Sequence, residues 1–227
     1  MKNLFFFTMI CIATGLISCG NNNKEDKAVQ IAQDSILLDS ISHVDSTAKE
    51  TTKDEAESLE EVLEKIARAY ADQNSKIISR YIHPTLGIYI IYRPGAIATY
   101  VHQSDFSFSR PVPDAQSYGT ISYNGPLKEE KLPKFDCGTM KWEKSGFFYD
   151  KSSRPTELSH TAQIMNEILN VKIDAADLQQ IKNIETKSYR AIMTANENEK
   201  PFVFQVTQDG DKWYLTLIDL AYAGCEV

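Results

Sequence analysis

SYRAIMTANENEKPFVFQVTQDGDKWYLTLIDL, residues 188–220, decides how this chain is read. Three runs rich in β-branched and aromatic residues, 188–195, 202–207 and 212–220, are separated by polar breaks, and Asp209-Gly210 between the last two is a strong hairpin signal. The spacing predicts a three-strand antiparallel meander, with Pro201 at a strand start, where its missing N–H does least harm. Just upstream, Leu158, Ala162, Met165 and Leu169 share one stripe of a helix over about 156–170, and Asp174 caps a second helix over about 174–184.

The domain begins near Ser58. Ser58 and Glu61 form a capping box ahead of Leu59, Val62, Leu63, Ile66 and Tyr70, an amphipathic helix whose apolar face calls for a partner surface. A short helix over 75–81 ends at His83-Pro84, because the residue before a proline avoids the helical region. Gly87 then opens the run 88–93, a strand by propensity, which Pro94-Gly95 ends. Residues 96–102 read as a second strand or a helix, 110–114 as a proline-rich loop, and 117–123 and 146–149 as short strands. Helices first and strands last, without βαβ alternation, predict an α+β fold. In that fold N-terminal helices pack on a bent antiparallel sheet, with two inserted helices before the C-terminal meander.

The N-terminus carries Lys2, an apolar stretch over 4–17 too short to span a bilayer, and then Leu16-Ile17-Ser18-Cys19. This arrangement resembles the signal and lipobox of bacterial lipoproteins. The resemblance implies that 1–18 is removed and that Cys19 is lipidated, giving a cell-envelope protein anchored by its lipid, in the outer membrane of a Gram-negative bacterium. Several acyl chains anchor stably, where a single chain binds only marginally. Losing Lys2 with the signal takes the formal net charge from −7 to −8. A chain this acidic is repelled by phosphate backbones, so no nucleic-acid partner is expected.

Residues 19–57 read as a flexible tether and 58–227 as one globular domain. Between 20 and 57 there is no aromatic and no proline, and nine acidic residues face four lysines, so no core can form there. Asp34-Ser35-Ile36, Asp39-Ser40-Ile41 and Asp45-Ser46-Thr47 repeat a tripeptide resembling the acceptor of an envelope O-glycosylation system, which implies glycans on Ser35, Ser40 and Ser46. With Cys11 in the signal and Cys19 alkylated, Cys137 and Cys225 remain in an oxidising compartment, and a disulfide between them is favoured over two buried thiols.

Two further likenesses cover about 58–227. The helix pair, the strand and a meander carrying Lys212-Trp213-Tyr214-Leu215 are similar to the cone fold of the nuclear transport factor two superfamily. Ile82-His83-Pro84, Gly87 and its strand, Trp142 and Trp213-Tyr214-Leu215 resemble a family of envelope lipoproteins with no assigned activity. The two helices over 156–184 are an insertion that the simple cone fold does not predict.

No nucleophile elbow, phosphate loop, zincin helix or dinucleotide fingerprint is present. His83, His102 and His160 are far apart and lack cysteine or histidine neighbours at ligand spacing, so neither a transition metal nor a cofactor is expected. His83 reads as a turn residue and His160 as a surface residue, while His102 is the least explained of the three. In a strand over 88–93, Ile88, Ile90 and Tyr92 share one face and Tyr89, Ile91 and Arg93 the other. A face with Tyr89, Arg93 and nearby His102 suits a cleft for an acidic glycan or a peptide. The alternative is a face packed by tyrosines, with Arg93 paired to an acid such as Asp105. Three functions stay open: a non-catalytic binding or scaffold module, a cone-fold hydrolase or isomerase, and an acidic envelope inhibitor.

Overall fold

Ser58 caps the first helix as its sequence dictates. Its hydroxyl accepts the N–H of Glu61 at 3.2 Å, and the Glu61 carboxylate accepts the N–H of Ser58 at 2.9 Å. The computed structural model describes residues 56–110, 112, 117–196, 199–223 and 225. Cys19, Ser35, Ser40, Ser46, the signal and nearly all of the tether lie outside the described residues.

The elements run α1 (Leu59–Ala71), α2 (Ser75–Arg80), β1 (Ile88–Tyr92), β2 (Thr99–Gln103), β3 (Leu127–Glu129), β4 (Phe135–Asp136), β5 (Lys141–Trp142), β6 (Phe147–Tyr149), α3 (Glu157–Glu167), α4 (Ala175–Thr186), β7 (Ser188–Met193), β8 (Phe202–Asp209) and β9 (Lys212–Asp219). The class is α+β. Seven strands form one sheet in the order β2-β1-β9-β8-β7-β6-β3, and β4 with β5 forms a separate hairpin.

The meander pairs as its pattern predicts, β7 with β8 and β8 with β9, both antiparallel. Gly210 takes φ +59° at the first of the two loop positions between Asp209 and Lys212, which only glycine adopts cheaply in such a hairpin. Of residues 96–102, read as strand or helix, those from Thr99 on belong to the strand β2 (Thr99–Gln103) and none to a helix. Gly87, with φ +62°, starts β1 so close to β2 that a Cβ there would run into the Gln103 carbonyl oxygen.

Three expectations need correction. The sheet is mixed, because β1 lies parallel to β9 and β3 parallel to β6. Residues 117–123 form no strand: Tyr118 and Ile121 are buried, but the Ser122 N–H is taken by the Glu199 carboxylate at 2.8 Å instead of a ladder partner. Helix α3 stops at Glu167, and Asn170, with φ +53°, turns the chain toward α4, so Leu169, expected as the last residue of the buried stripe, is exposed. The hairpin β4–β5 and the short β3 carried too little periodicity to be read.

The sheet has two covered faces. Leu63, Ile66 and Tyr70 of α1 bury against Ile88, Ile90, Phe202, Phe204, Val206 and Leu215, with Tyr70 stacked on Phe202 at 3.7 Å. On the opposite face Leu158 and Ala162 of α3 and Ile181 and Ile184 of α4 meet Tyr89, Ile91 and Leu217. Each fully buried large side chain contributes roughly 1.5–3 kcal/mol, so the first face, with most of the aromatics, supplies most of the stability.

Candidate functional site

The second face is unusual because a polar row runs beneath the helices. Register sets Arg190 of β7 opposite Gln205 of β8, and Ser188 opposite Thr207. On β9, Val206 faces Leu215 and Gln205 faces Leu217, so Thr216 is the extra residue of a β-bulge. All six of Ser188, Arg190, Gln205, Thr207, Thr216 and Asp219 are buried. Ser188 Oγ donates to the Ile184 carbonyl at 2.7 Å. Its one proton is thereby used, so Thr207 donates to Ser188 and Thr216 to Thr207, both at 2.6 Å.

Arg190 is the charged centre of this row. Its Nη2 donates to Asp219 Oδ2 at 2.7 Å, and its Nη1 lies 2.9 Å from Glu157 Oε1 without the alignment of a hydrogen bond. Asp219 Oδ1 accepts the Ala221 N–H at 2.9 Å. Burial pushes the Asp219 carboxyl above its ordinary value, against the pull of Arg190. Glu157 Oε2 accepts from Gln205 Nε2 at 3.3 Å, while Gln205 Oε1 is buried with no hydrogen-bond partner among the described residues. Next to this group, α3 starts without a side-chain cap of its own. Glu185 of α4 supplies one, taking the N–H groups of Leu158 and Ser159 at 2.9 and 3.0 Å. Burial holds the Glu185 carboxyl above its usual range despite these bonds.

A cavity of about 440 Å³ opens between α3 and this face. Arg93, Arg190, Asp219, Glu157, His160 and Tyr222 give it polar groups, and Ile91, Ile97, Ile164 and Ile168 give it apolar walls. Arg93 projects from just beyond β1, and its Nη1 donates to the Cys225 carbonyl at 2.6 Å. Cys225 is disulfide-bonded to Cys137, so the bond that ties the chain end to the β4–β5 hairpin also places the acceptor for Arg93. Asp105 is not the partner of Arg93: Arg110 holds it with two bonds, at 2.7 and 2.8 Å. A second groove, of about 610 Å³, shares Tyr222 with the cavity. There Tyr222 stacks on Trp142 at 5.4 Å, with Phe135 edge-on to both.

The residues expected to share a cleft are split. Tyr89 is on the same sheet face as Ile91 but only 6 % exposed, covered by the helices, and burial pushes its hydroxyl up to about 12. His102 stacks on Tyr89 at 4.3 Å and donates from Nε2 to the Leu86 carbonyl at 2.7 Å, fastening the turn before β1. Neither of them lines the cavity that Arg93 lines. His160, read as a surface residue, is exposed at its rim. His83 does organise a turn: Nδ1 accepts the N–H groups of Thr85 and Leu86, which puts the proton on Nε2, facing Asp209 Oδ2 at 3.0 Å. Among the described residues no group of three or more His, Cys, Asp or Glu side chains is placed to hold a metal ion.

Arg190, Glu157, Gln205 and Asp219 are the residues that sequence reasoning missed. A signal existed: Arg190 and Gln205 sit at alternate positions of the first two runs of the meander, where a buried face otherwise takes apolar residues. Comparison with family models, with curated proteins and with solved structures gives no match.

Proposed function

We propose that this is a lipid-anchored cell-envelope protein, held in the outer membrane through Cys19, whose domain is a binding module rather than an enzyme. The carrying observation is the cavity lined by Arg93 above the buried Arg190–Asp219 pair. Two guanidinium groups meeting apolar walls in a concave site make a ligand-binding geometry. The ligand is anionic at one end, because Arg groups bind carboxylates through paired N–H donors. Tyr89 and His102 act behind this site, stiffening β1 and its turn instead of touching ligand. The domain is further proposed to be a cone fold of the nuclear transport factor two type with α3 and α4 inserted. The packing of α1 on one sheet face and the bend that a bulge at Thr216 imparts support that reading.

A thermal-shift panel of uronic acids, acidic peptides and acyl carboxylates against the parent protein and Arg93→Gln tests the site. Stabilisation of the parent that vanishes in Arg93→Gln is expected. Stabilisation that survives the substitution places binding elsewhere, and turnover abolished by His160→Ala would favour the acid–base alternative.

A further inference from the structure

We infer that the cavity takes the carboxylate of an acyl-chain amphiphile, its head on Arg93 and Arg190 and its chain along Ile97, Ile164 and Ile168. The inference rests on the reading of this cavity as the ligand site.

The head end follows from the floor. Arg190 is 9 % exposed, and its buried Nη1 faces Glu157 Oε1 across 2.9 Å without hydrogen-bond alignment. The two are held as an ion pair. A ligand carboxylate brings two coplanar acceptors that fit a guanidinium fork, which the side chain of Glu157, fixed at the first position of α3, does not achieve here. Glu157 therefore acts as an internal competitor for the ligand's head. Its side chain is 39 % exposed, so it has solvent to turn into when displaced.

The chain end follows from the walls and the mouth. Ile91, Ile97 and Ile164 line the interior, and Ile168 at the rim is 58 % exposed. Leu169 and Val171 follow it in the turn to α4, also exposed. Among the described residues the exposed large hydrophobics are these three and Met140. Exposed apolar side chains are ordinarily scattered singly, and three within four positions, the first of them lining the cavity, mark a surface that apolar matter covers. A sugar acid would leave this rim in water, and an uncharged chain would offer no acceptor to the guanidinium groups at the floor. An acyl carboxylate matches both ends.

The test titrates the full chain carrying Cys19→Ala, which has no acyl group of its own at that position, with laurate, dodecanol and acetate by calorimetry below the micelle concentration of laurate. Laurate is expected to saturate a single site, with dodecanol and acetate each at least about tenfold weaker. Arg93→Gln should weaken laurate by about 10- to 100-fold, the range of a charge-assisted hydrogen bond. Glu157→Gln should tighten it. Ile168→Ser should weaken laurate but not acetate. Where Arg190→Met does not fold, Arg190→Met with Asp219→Leu removes the buried pair together and should lose laurate while remaining folded. Laurate that does not saturate, or that binds all variants equally, overturns the inference, as does uptake that only parallels partition into lipid vesicles. If laurate fails while a uronic acid or acidic peptide binds in an Arg93-dependent way, the acyl assignment falls and the cavity remains the site. If no anion depends on Arg93, both fall.

Discussion

Replacing Arg190 with methionine should be among the most destabilising single changes in the domain. The substitution leaves Asp219, only 4 % exposed, without the cation 2.7 Å away, and leaves Gln205 and Glu157 facing an apolar side chain. Breaking a buried pair from one side costs about 3–5 kcal/mol, because the remaining charge is stranded away from water. The domain has roughly 170 residues. At that size each kcal/mol moves the melting temperature by about 2–4 °C, so a fall of about 6–20 °C is expected. Arg190→Met combined with Asp219→Leu should recover most of the loss, since replacing both members of a buried pair with apolar groups of similar volume is often neutral. Urea unfolding followed by tryptophan fluorescence gives the free energies. A single variant costing less than about 1 kcal/mol would mean that water reaches the pair. A double variant as unstable as the single would mean that shape, not charge, sets the cost. Either result refutes the reasoning.

Cys137→Ser with Cys225→Ser opens a bond across 88 residues and should cost up to about 4.5 kcal/mol in the chain-entropy model, with a lower urea midpoint; a loss below about 1 kcal/mol sinks the estimate. Glu185→Gln keeps an acceptor at the start of α3 but removes a carboxyl whose folded value lies above its unfolded one. A raised carboxyl lowers stability as pH climbs through that window, so the variant should gain on the parent from the ordinary carboxylate range up to neutrality, and a flat difference across those pH values refutes this. Cys19→Ala should abolish membrane fractionation, and an equally bound, equally processed product ends the lipoprotein reading. Intact mass of the mature protein should exceed the lipoprotein mass if Ser35, Ser40 and Ser46 carry glycans, whereas agreement without excess rules them out.

Much of the fold was legible because the signals were local. The capping box at Ser58, the alternation in 188–220 and the cap at Asp174 all depend on neighbours within a few positions, and each appears where expected. The parallel contact of β1 with β9 was not legible, because it joins segments more than a hundred residues apart through backbone groups that every residue carries. The 117–123 segment misled for a related reason: its apolar residues are buried, yet its backbone bonds go to the side chains of Gln73 and Glu199 and to Lys200 N–H. Arg93 was singled out from strand alternation and does line a cavity. That same alternation could not show that α3 and α4 would cover Tyr89, since helix placement over a sheet face is decided by tertiary packing.

The polar floor was hidden by one residue. Strict alternation from Trp213 and Leu215 assigns Leu217 and Asp219 to their face, the apolar one beneath α1, where a carboxylate would have no partner. The extra residue at Thr216 shifts everything after it by one position. Ile218 is thereby returned to the apolar core, and Leu217 and Asp219 turn toward α3 and α4. Only with that shift does Asp219 meet Arg190, and only then is the Arg190 guanidinium neutralised deeply enough to remain buried. The bulge thus separates two tasks on one sheet. The α1 face is left free to pack aromatics for stability, while the opposite face carries charges that a purely stabilising core would not choose. Those charges lie under α3 and α4 and at the wall of the cavity. A sheet that packs Phe202 and Phe204 on one side and Arg190 and Asp219 on the other gives up burial energy on the second side, and the proposed recognition of an anion would account for that loss.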